Sequence, residues 1–240
     1  MIPELEERIA KSKNLVFFGG AGVSTESGIP DFRSVDGLYH QQFAYPPEEM
    51  LSHSFFVHHT AEFYDFYRKK LIVHGAKPNA AHLRLAALER EGKCKAVVTQ
   101  NIDGLHQAAG SKTVFELHGS TLRNYCTKCG KFYPVNFVEE AGKIGDGVPR
   151  CTDCGGLVKP DVVLYEEGLD EATMEGAVRA ISRADTLIVG GTSLAVYPAA
   201  GLLRYFGGEE LVVINKQPTP ADGAATLVIN QPIGKALELP

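Results

Sequence analysis

The chain has 240 residues, of which 44% are hydrophobic and 22% charged, and it carries a formal charge of −5. That length supports a large core, as one domain or as a domain with an inserted module, and the composition is that of an ordinary globular protein. An acidic balance argues against non-specific nucleic-acid binding, no apolar run is long enough to span a bilayer, and the N-terminus MIPELEERIAKSK is charged and amphipathic, unlike a secretory signal.

In chain order, apolar runs that read as buried parallel strands fall at 15–18, 96–99, 114–117, 162–165, 186–189 and 211–214, with a last one near 226–229. Helical patterns lie between several of them. Asn79 is a candidate N-cap for a helix over 83–88 that Gly92 closes, and 171–182 and 198–206 fill later gaps. Strands alternating with helices predict an α/β fold with a doubly wound, Rossmann-like parallel sheet. Ligands of such sheets sit beyond the carboxyl ends of the strands, so the loops at Gly19, Gln100, His118, Gly191 and Asn215 are expected to converge on one crevice.

Two excursions interrupt the alternation. Residues 39–76 are aromatic-rich and read as helical, whereas 122–159 hold four cysteines, several glycines and little helical pattern. Together they are expected to form a smaller domain, leaving 1–38, 77–121 and 160–240 as the nucleotide-binding domain. Cys126-x-x-Cys129 and Cys151-x-x-Cys154 stand 21 residues apart. Four thiolates so placed complete a closed tetrahedral zinc site, which is structural because no coordination position stays open. Thiols in this pattern favour a reducing compartment over a disulfide framework. The fifth cysteine, Cys94, reads as a small, partly buried side chain. The module's basic residues are nearly matched by acidic ones, which disfavours a nucleic-acid ribbon.

The stretch GGAGVSTESGIPDFR, residues 19–33, follows the first strand. Glycines there let the backbone approach a pyrophosphate, but Thr25 stands where the third glycine of a dinucleotide fingerprint belongs. Downstream come Thr99-Gln100-Asn101-Ile102-Asp103, Leu117-His118-Gly119, the paired cysteines, Gly191-Thr192-Ser193-Leu194 and Ile214-Asn215. This ordered set, covering nearly the whole chain, resembles the catalytic core of the sirtuins, NAD-dependent protein lysine deacylases, in a compact form of bacterial type.

The resemblance implies that NAD is a consumed co-substrate, that one structural Zn²⁺ is held by Cys126, Cys129, Cys151 and Cys154, and that the partners are acetylated lysines of proteins. It implies that His118 deprotonates a ribose hydroxyl, assisted by Asn101, which orders water or ribose hydroxyls. Asp103 and the Ile102 backbone hold the nicotinamide carboxamide, and Gln100 contacts the ribose. Phe32 caps the reacting ribose face, Arg33 organises the loop, and Ala21 and Thr25 line the phosphates. Thr192, Ser193 and Asn215 hold phosphate and adenosine ribose, with Ile233 bordering the adenine. Val163 and Tyr165 line an acyl-lysine tunnel in a strand to which substrate peptide adds. Glu166 stands where the family pattern has glycine.

Sirtuins that prefer dicarboxylic acyl chains use a Tyr-x-x-Arg pair. Here Tyr67 takes the arginine's place after Tyr64, and Arg68 lies one residue on, about a quarter turn around a helix. Deacetylation is therefore expected over desuccinylation. Rival readings are mono-ADP-ribosyl transfer, a dehydrogenase and a non-catalytic NAD-sensing module. No membrane attachment or direct nucleic-acid binding is expected, and the protein is expected in the cytoplasm. Except for His118, the histidines read as lacking a functional setting, with His53, His58 and His59 solvated.

Overall fold

The computed structural model describes residues 2–31, 37 and 45–238. Six strands form one parallel sheet: β1 (Leu15–Gly19), β2 (Cys94–Thr99), β3 (Val114–Glu116), β7 (Thr186–Gly190), β8 (Glu210–Ile214) and β9 (Leu227–Ile229), in the order β3-β2-β1-β7-β8-β9. Renumbered within that sheet alone, this is the 3-2-1-4-5-6 order of a dinucleotide-binding fold. The switch point lies between β1 and β7, where the connections leave in opposite directions and open a crevice.

The central strands are buried on both faces. Leu15 and Phe17 of β1 join the core that α1 (Pro3–Lys11), α5 (Ala80–Arg90) and α9 (Ile233–Leu237) cover with Leu5, Ile9, Leu85, Leu88 and Leu237. Val16 and Phe18 alternate into the other core, with Ala177 and Ile181 of α8 (Glu171–Arg183). Period-two alternation thus splits one apolar run between two cores. Residues 198–206, expected as a helix, form a 3₁₀ segment over Ala199–Tyr205.

Two helices are capped by the side chain that precedes them. Asn79 caps α5, with its Oδ1 accepting from the Ala81 N–H at 3.0 Å, while its own N–H donates to His82 Nδ1 at 3.2 Å. Asp170 caps α8 by accepting from the Thr173 N–H at 2.8 Å. Both satisfy amide groups that the first helical turn leaves without partners.

The second sheet is antiparallel, ordered β5-β4-β6, from β4 (Gly119–Cys126), β5 (Phe132–Pro134) and β6 (Val158–Val162). This corrects the expectation of a parallel strand at 162–165. The strand ends at Val162 and pairs with β4, so it never enters the large sheet. Apolarity alone could not distinguish these, because burial is common to both sheets. The segment 122–159 also contains a helix, α7 (Val135–Ala141).

Helices α2 (Pro47–Met50), α3 (His53–His58) and α4 (Thr60–Lys70) build the aromatic excursion. Phe55, Phe56, Phe63, Tyr64, Phe66 and Tyr67 share one core with Val138 of α7 and with Val162 and Leu164. The two excursions therefore pack on each other through a common apolar centre. No helix among the described residues is long and apolar enough to cross a membrane.

Candidate active site

The loops at the carboxyl ends of β1, β2, β7 and β8, together with the turn after β3, surround a cavity of about 820 Å³. Its wall includes Ala21, Thr25, Gln100, Asn101, Ile102, Asp103, His118, Thr192, Ser193, Asn215 and Ile233, as well as Val163 and Tyr165. Residues brought together from positions 21 to 233 meet there because every contributing parallel strand points the same way. Phe32 and Arg33 lie outside the described residues.

Backbone proximity explains two of the glycines. A Cβ on Gly22 would lie 2.8 Å from the Gly191 Cα, so the β1 and β7 loops can touch only without side chains there. Gly119 has φ +74°, and a Cβ on it would meet the Asp161 carbonyl. It turns the chain straight from His118 into β4.

His118 is half-buried, and its Nδ1 lies 3.0 Å from the Gln100 carbonyl oxygen. A carbonyl only accepts, so Nδ1 carries the proton and Nε2 keeps its lone pair. Burial lowers the imidazole pKa below the usual histidine value, partly offset by that backbone contact. The main chain holds the residue from both sides: Leu117 N–H donates to the Thr99 carbonyl at 2.9 Å, and Val163 N–H to the His118 carbonyl at 3.0 Å. The arrangement presents a neutral base on a rigid mount.

Asn101 and Asp103 do not act alone. The Asn101 Nδ2 donates to Ser24 Oγ at 3.0 Å, and Ser24 Oγ donates to Asp103 Oδ2 at 2.6 Å. The other Asp103 oxygen accepts from the Leu105 N–H at 2.9 Å. Ser24 is 1% exposed and is the hub of the recess, a role that its sequence context as one hydroxyl among three did not single out. Thr121 donates twice to the Ile102 carbonyl, through its N–H and its Oγ1, each at 3.0 Å, so both lone pairs are spoken for. What Ile102 can offer a ligand is its N–H. Gln100 Nε2 donates to Thr192 Oγ1 at 3.1 Å, closing the crevice between the β2 and β7 loops.

The remaining positions are held locally. Thr25 Oγ1 donates to the Gly22 carbonyl at 3.0 Å, and Asn215 Nδ2 to the Gln217 carbonyl at 2.8 Å. Ile233, the first residue of α9, is buried in the core as well as lining the cavity. Ser193 is exposed.

The peptide-side wall differs from the expected strand. Tyr165 N–H donates to the Leu51 carbonyl at 2.9 Å, and its carbonyl accepts from the His53 N–H at 3.0 Å, a parallel bridge to Ser52. The N–H groups of Val163, Leu164 and Tyr165 are thus all already paired, with the His118 carbonyl, Glu167 Oε2 and the Leu51 carbonyl. Glu166 takes φ +76° and accepts from the Ser54 N–H at 2.8 Å, so an unfavourable left-handed conformation is held by a helix-end contact.

Two histidines read as without a setting are buried behind this site. The rings of His82 and His106 lie 4.7 Å apart, and burial pushes their pKa values down to about 4 and about 3. His53, by contrast, is exposed and pairs with Glu167 at 2.8 Å. Cys94, expected to be partly buried, is 2% exposed at the start of β2.

The four paired cysteines have all their sulfur atoms within 4.8 Å of one another, with Cys126–Cys154 at 3.5 Å and Cys129–Cys151 at 3.6 Å. A tetrahedral ion with Zn–S bonds of about 2.3 Å requires sulfur separations of about 3.8 Å. The donor set and its spacing therefore fit zinc.

A Sir2 family model matches residues 20–198. The chain belongs to the Sir2 family. A protein of Clostridium acetobutylicum named NAD-dependent protein deacetylase is 61% identical, over 99% of this chain and 96% of its own length. One of Clostridium perfringens with the same name is 62% identical, over 98% and 96%. Among solved structures, Sir2 with a p53 peptide and NAD+ superposes with a TM-score of 0.87 at 42% identity, covering 99% of this chain and 95% of that one. Sir2 bound to acetylated peptide gives 0.88 at 40% identity, covering 99% and 95%. The Rossmann-like sheet of this Sir2 chain and its four-cysteine cluster agree with that membership.

Proposed function

We propose that the chain is an NAD-dependent protein lysine deacetylase, which transfers the acetyl group of acetyl-lysine to ADP-ribose and releases nicotinamide and O-acetyl-ADP-ribose. Its relatives carry that activity in their names at up to 62% identity. The observation in this chain that carries the reading is His118, a neutral imidazole with its Nε2 lone pair free, on the wall of a cavity that also holds Asn101 and Asp103.

In this reading His118 Nε2 accepts the proton of a ribose hydroxyl. Asp103 and the Ile102 N–H hold the nicotinamide carboxamide, with the Ser24 bridge keeping Asp103 and Asn101 in register. Gln100 contacts the ribose. Ala21, Thr25, Thr192, Ser193 and Asn215 bind the phosphates and adenosine ribose, Ile233 borders the adenine, and Phe32 and Arg33 complete the loop. Val163 and Tyr165 line the acyl-lysine entry. Cys126, Cys129, Cys151 and Cys154 hold a Zn²⁺ ion that stabilises the small domain and has no open position for chemistry. The division into 1–38, 77–121 and 160–240 against 39–76 and 122–159 follows the same logic. The protein works in the cytoplasm without binding nucleic acid.

Acetyl is favoured over a dicarboxylic acyl chain because Arg68, the arginine that follows the Tyr64–Tyr67 pair, is committed elsewhere. Arg68 donates to the Gly147 carbonyl at 2.8 Å and the Val138 carbonyl at 3.3 Å, toward the cysteine-bearing module. A buried carboxylate needs a cationic partner. The test is mass spectrometry of acetyl- and succinyl-lysine peptides incubated with and without NAD. Acetyl loss only with NAD, together with O-acetyl-ADP-ribose, supports the reading. Faster succinyl loss overturns the acyl preference, and ADP-ribose added to the peptide moves the function to transfer.

A further inference from the structure

The four sulfurs of the cysteine cluster are not supported alike. Cys126 Sγ accepts backbone N–H groups from Lys128 and Cys129, each at 3.4 Å, as the turn of a Cys-x-x-Cys knuckle supplies. Cys151 Sγ, contacted by the N–H groups of Asp153 and Cys154 in its own knuckle, is approached in addition by a side chain, the hydroxyl of Tyr133, which donates to it at 3.2 Å. Tyr133 comes from β5 and is 5% exposed. Its ring stacks on Phe137 of α7 with centroids 4.1 Å apart.

The direction of the hydroxyl proton follows from its other contacts. Tyr133 Oη accepts the Thr152 N–H at 2.8 Å, which leaves the proton free to be given away. Thr152 Oγ1, at 3.0 Å, is the competing acceptor. That oxygen already receives Lys131 Nζ at 3.1 Å and donates to Asp153 Oδ1 at 3.1 Å. Once a metal is bound, Cys151 is a thiolate, and a charge-assisted hydrogen bond outcompetes a neutral one. The proton therefore points at sulfur.

We propose that Tyr133 is an outer-shell positioning residue of the zinc site, whose hydroxyl stabilises and orients the Cys151 thiolate and so sets how firmly the metal is retained. This rests on the zinc reading of the cluster. Outer-shell donors matter because they fix a ligand's orientation and how strongly it holds the metal. Retention bears on the catalytic face through β4, which starts at Gly119 beside His118 and ends at Cys126.

The variant is Tyr133→Phe, which keeps the ring on Phe137 and removes only the hydroxyl. Zinc content is measured on the purified protein, then the rate of zinc transfer to excess chromophoric chelator. Cobalt(II) is substituted to read the thiolate-to-metal charge-transfer band. Release is expected to quicken roughly tenfold to hundredfold, the usual cost of losing such a partner. The band should move to lower energy, because a sulfur without its hydrogen bond gives up electron density more easily. Phe137→Leu loosens the ring's packing without removing the hydroxyl, and should leave the band in place. Unchanged release with an unmoved band overturns the proposal, as does the same band shift in both variants. A wild-type protein that retains no zinc overturns the zinc reading itself, and the two failures are thereby distinct.

Discussion

At the scale of single residues, the site works through proton placement. The Gln100 carbonyl fixes the His118 tautomer, and burial lowers its pKa, so the neutral base persists to lower pH than for a free histidine. As pH falls, activity should hold through the ordinary histidine range of about 6.5 and decline only below it. The acid limb of a kcat/KM profile against pH tests this, and a limb centred above that value would count against it. His118→Ala is expected to abolish turnover while leaving the melting curve in place. Ser24→Ala cuts both hydrogen bonds joining Asn101 to Asp103, one of them to a carboxylate. Bonds to charged groups are worth about 1.5–3 kcal/mol, so nicotinamide release should slow by roughly ten- to a hundredfold. Nicotinamide release measured at saturating NAD would expose a merely structural serine by showing no loss.

At the scale of elements, α5 is more than packing for the sheet. Its cap residue Asn79 satisfies the first turn and also donates through Nδ2 to the Val23 carbonyl at 2.7 Å and to Ser27 Oγ at 3.0 Å. A helix start therefore braces the loop that lines the cavity. Asn79→Ala should cost about 1–2 kcal/mol of stability, the usual value of an N-cap. It should also raise the KM for NAD, because the loop loses two anchors. Urea unfolding read alongside NAD titration separates the two effects; a stability loss with unchanged KM would confine Asn79 to capping. His82 completes the same capping box and packs on His106 of the short helix α6 (Leu105–Ala108), which begins two residues after Asp103. The cap and the recess share one buried polar seam.

At the scale of the whole molecule, the two sheets meet at His118. The large parallel sheet delivers the histidine just after β3, and β4 carries the chain on to the first cysteine of the cluster, Cys126. β6 returns alongside β4 and hands over to Val163, whose N–H holds the His118 carbonyl. Stripping the zinc should therefore melt the three-stranded sheet first and silence turnover with it, while the large sheet survives to a second, higher transition. Calorimetry with and without chelator tests this. Full activity in metal-free protein would show that the two sheets are uncoupled.

Much of this was legible in the sequence because its signals are short-range. The alternation of apolar runs, the Asn79 cap, the cysteine spacing and the glycine after His118 each depend on a few neighbouring residues, whose sterics and hydrogen bonding are local. The cavity-lining positions were legible too, since parallel strands must present their following loops at one edge. Tertiary structure alone decided the rest. The Ser24–Asp103 bond spans 79 positions and exists only because β1 and β2 are neighbours in the sheet. The run at 162–165 carries apolarity suited to either sheet, and only the pairing of β6 with β4 assigned it. The burial of His82 and His106, the commitment of Arg68 to backbone carbonyls, and the reach of Tyr133 to Cys151 follow from which elements pack together. Local chemistry named the candidate groups; the order of strands chose their partners.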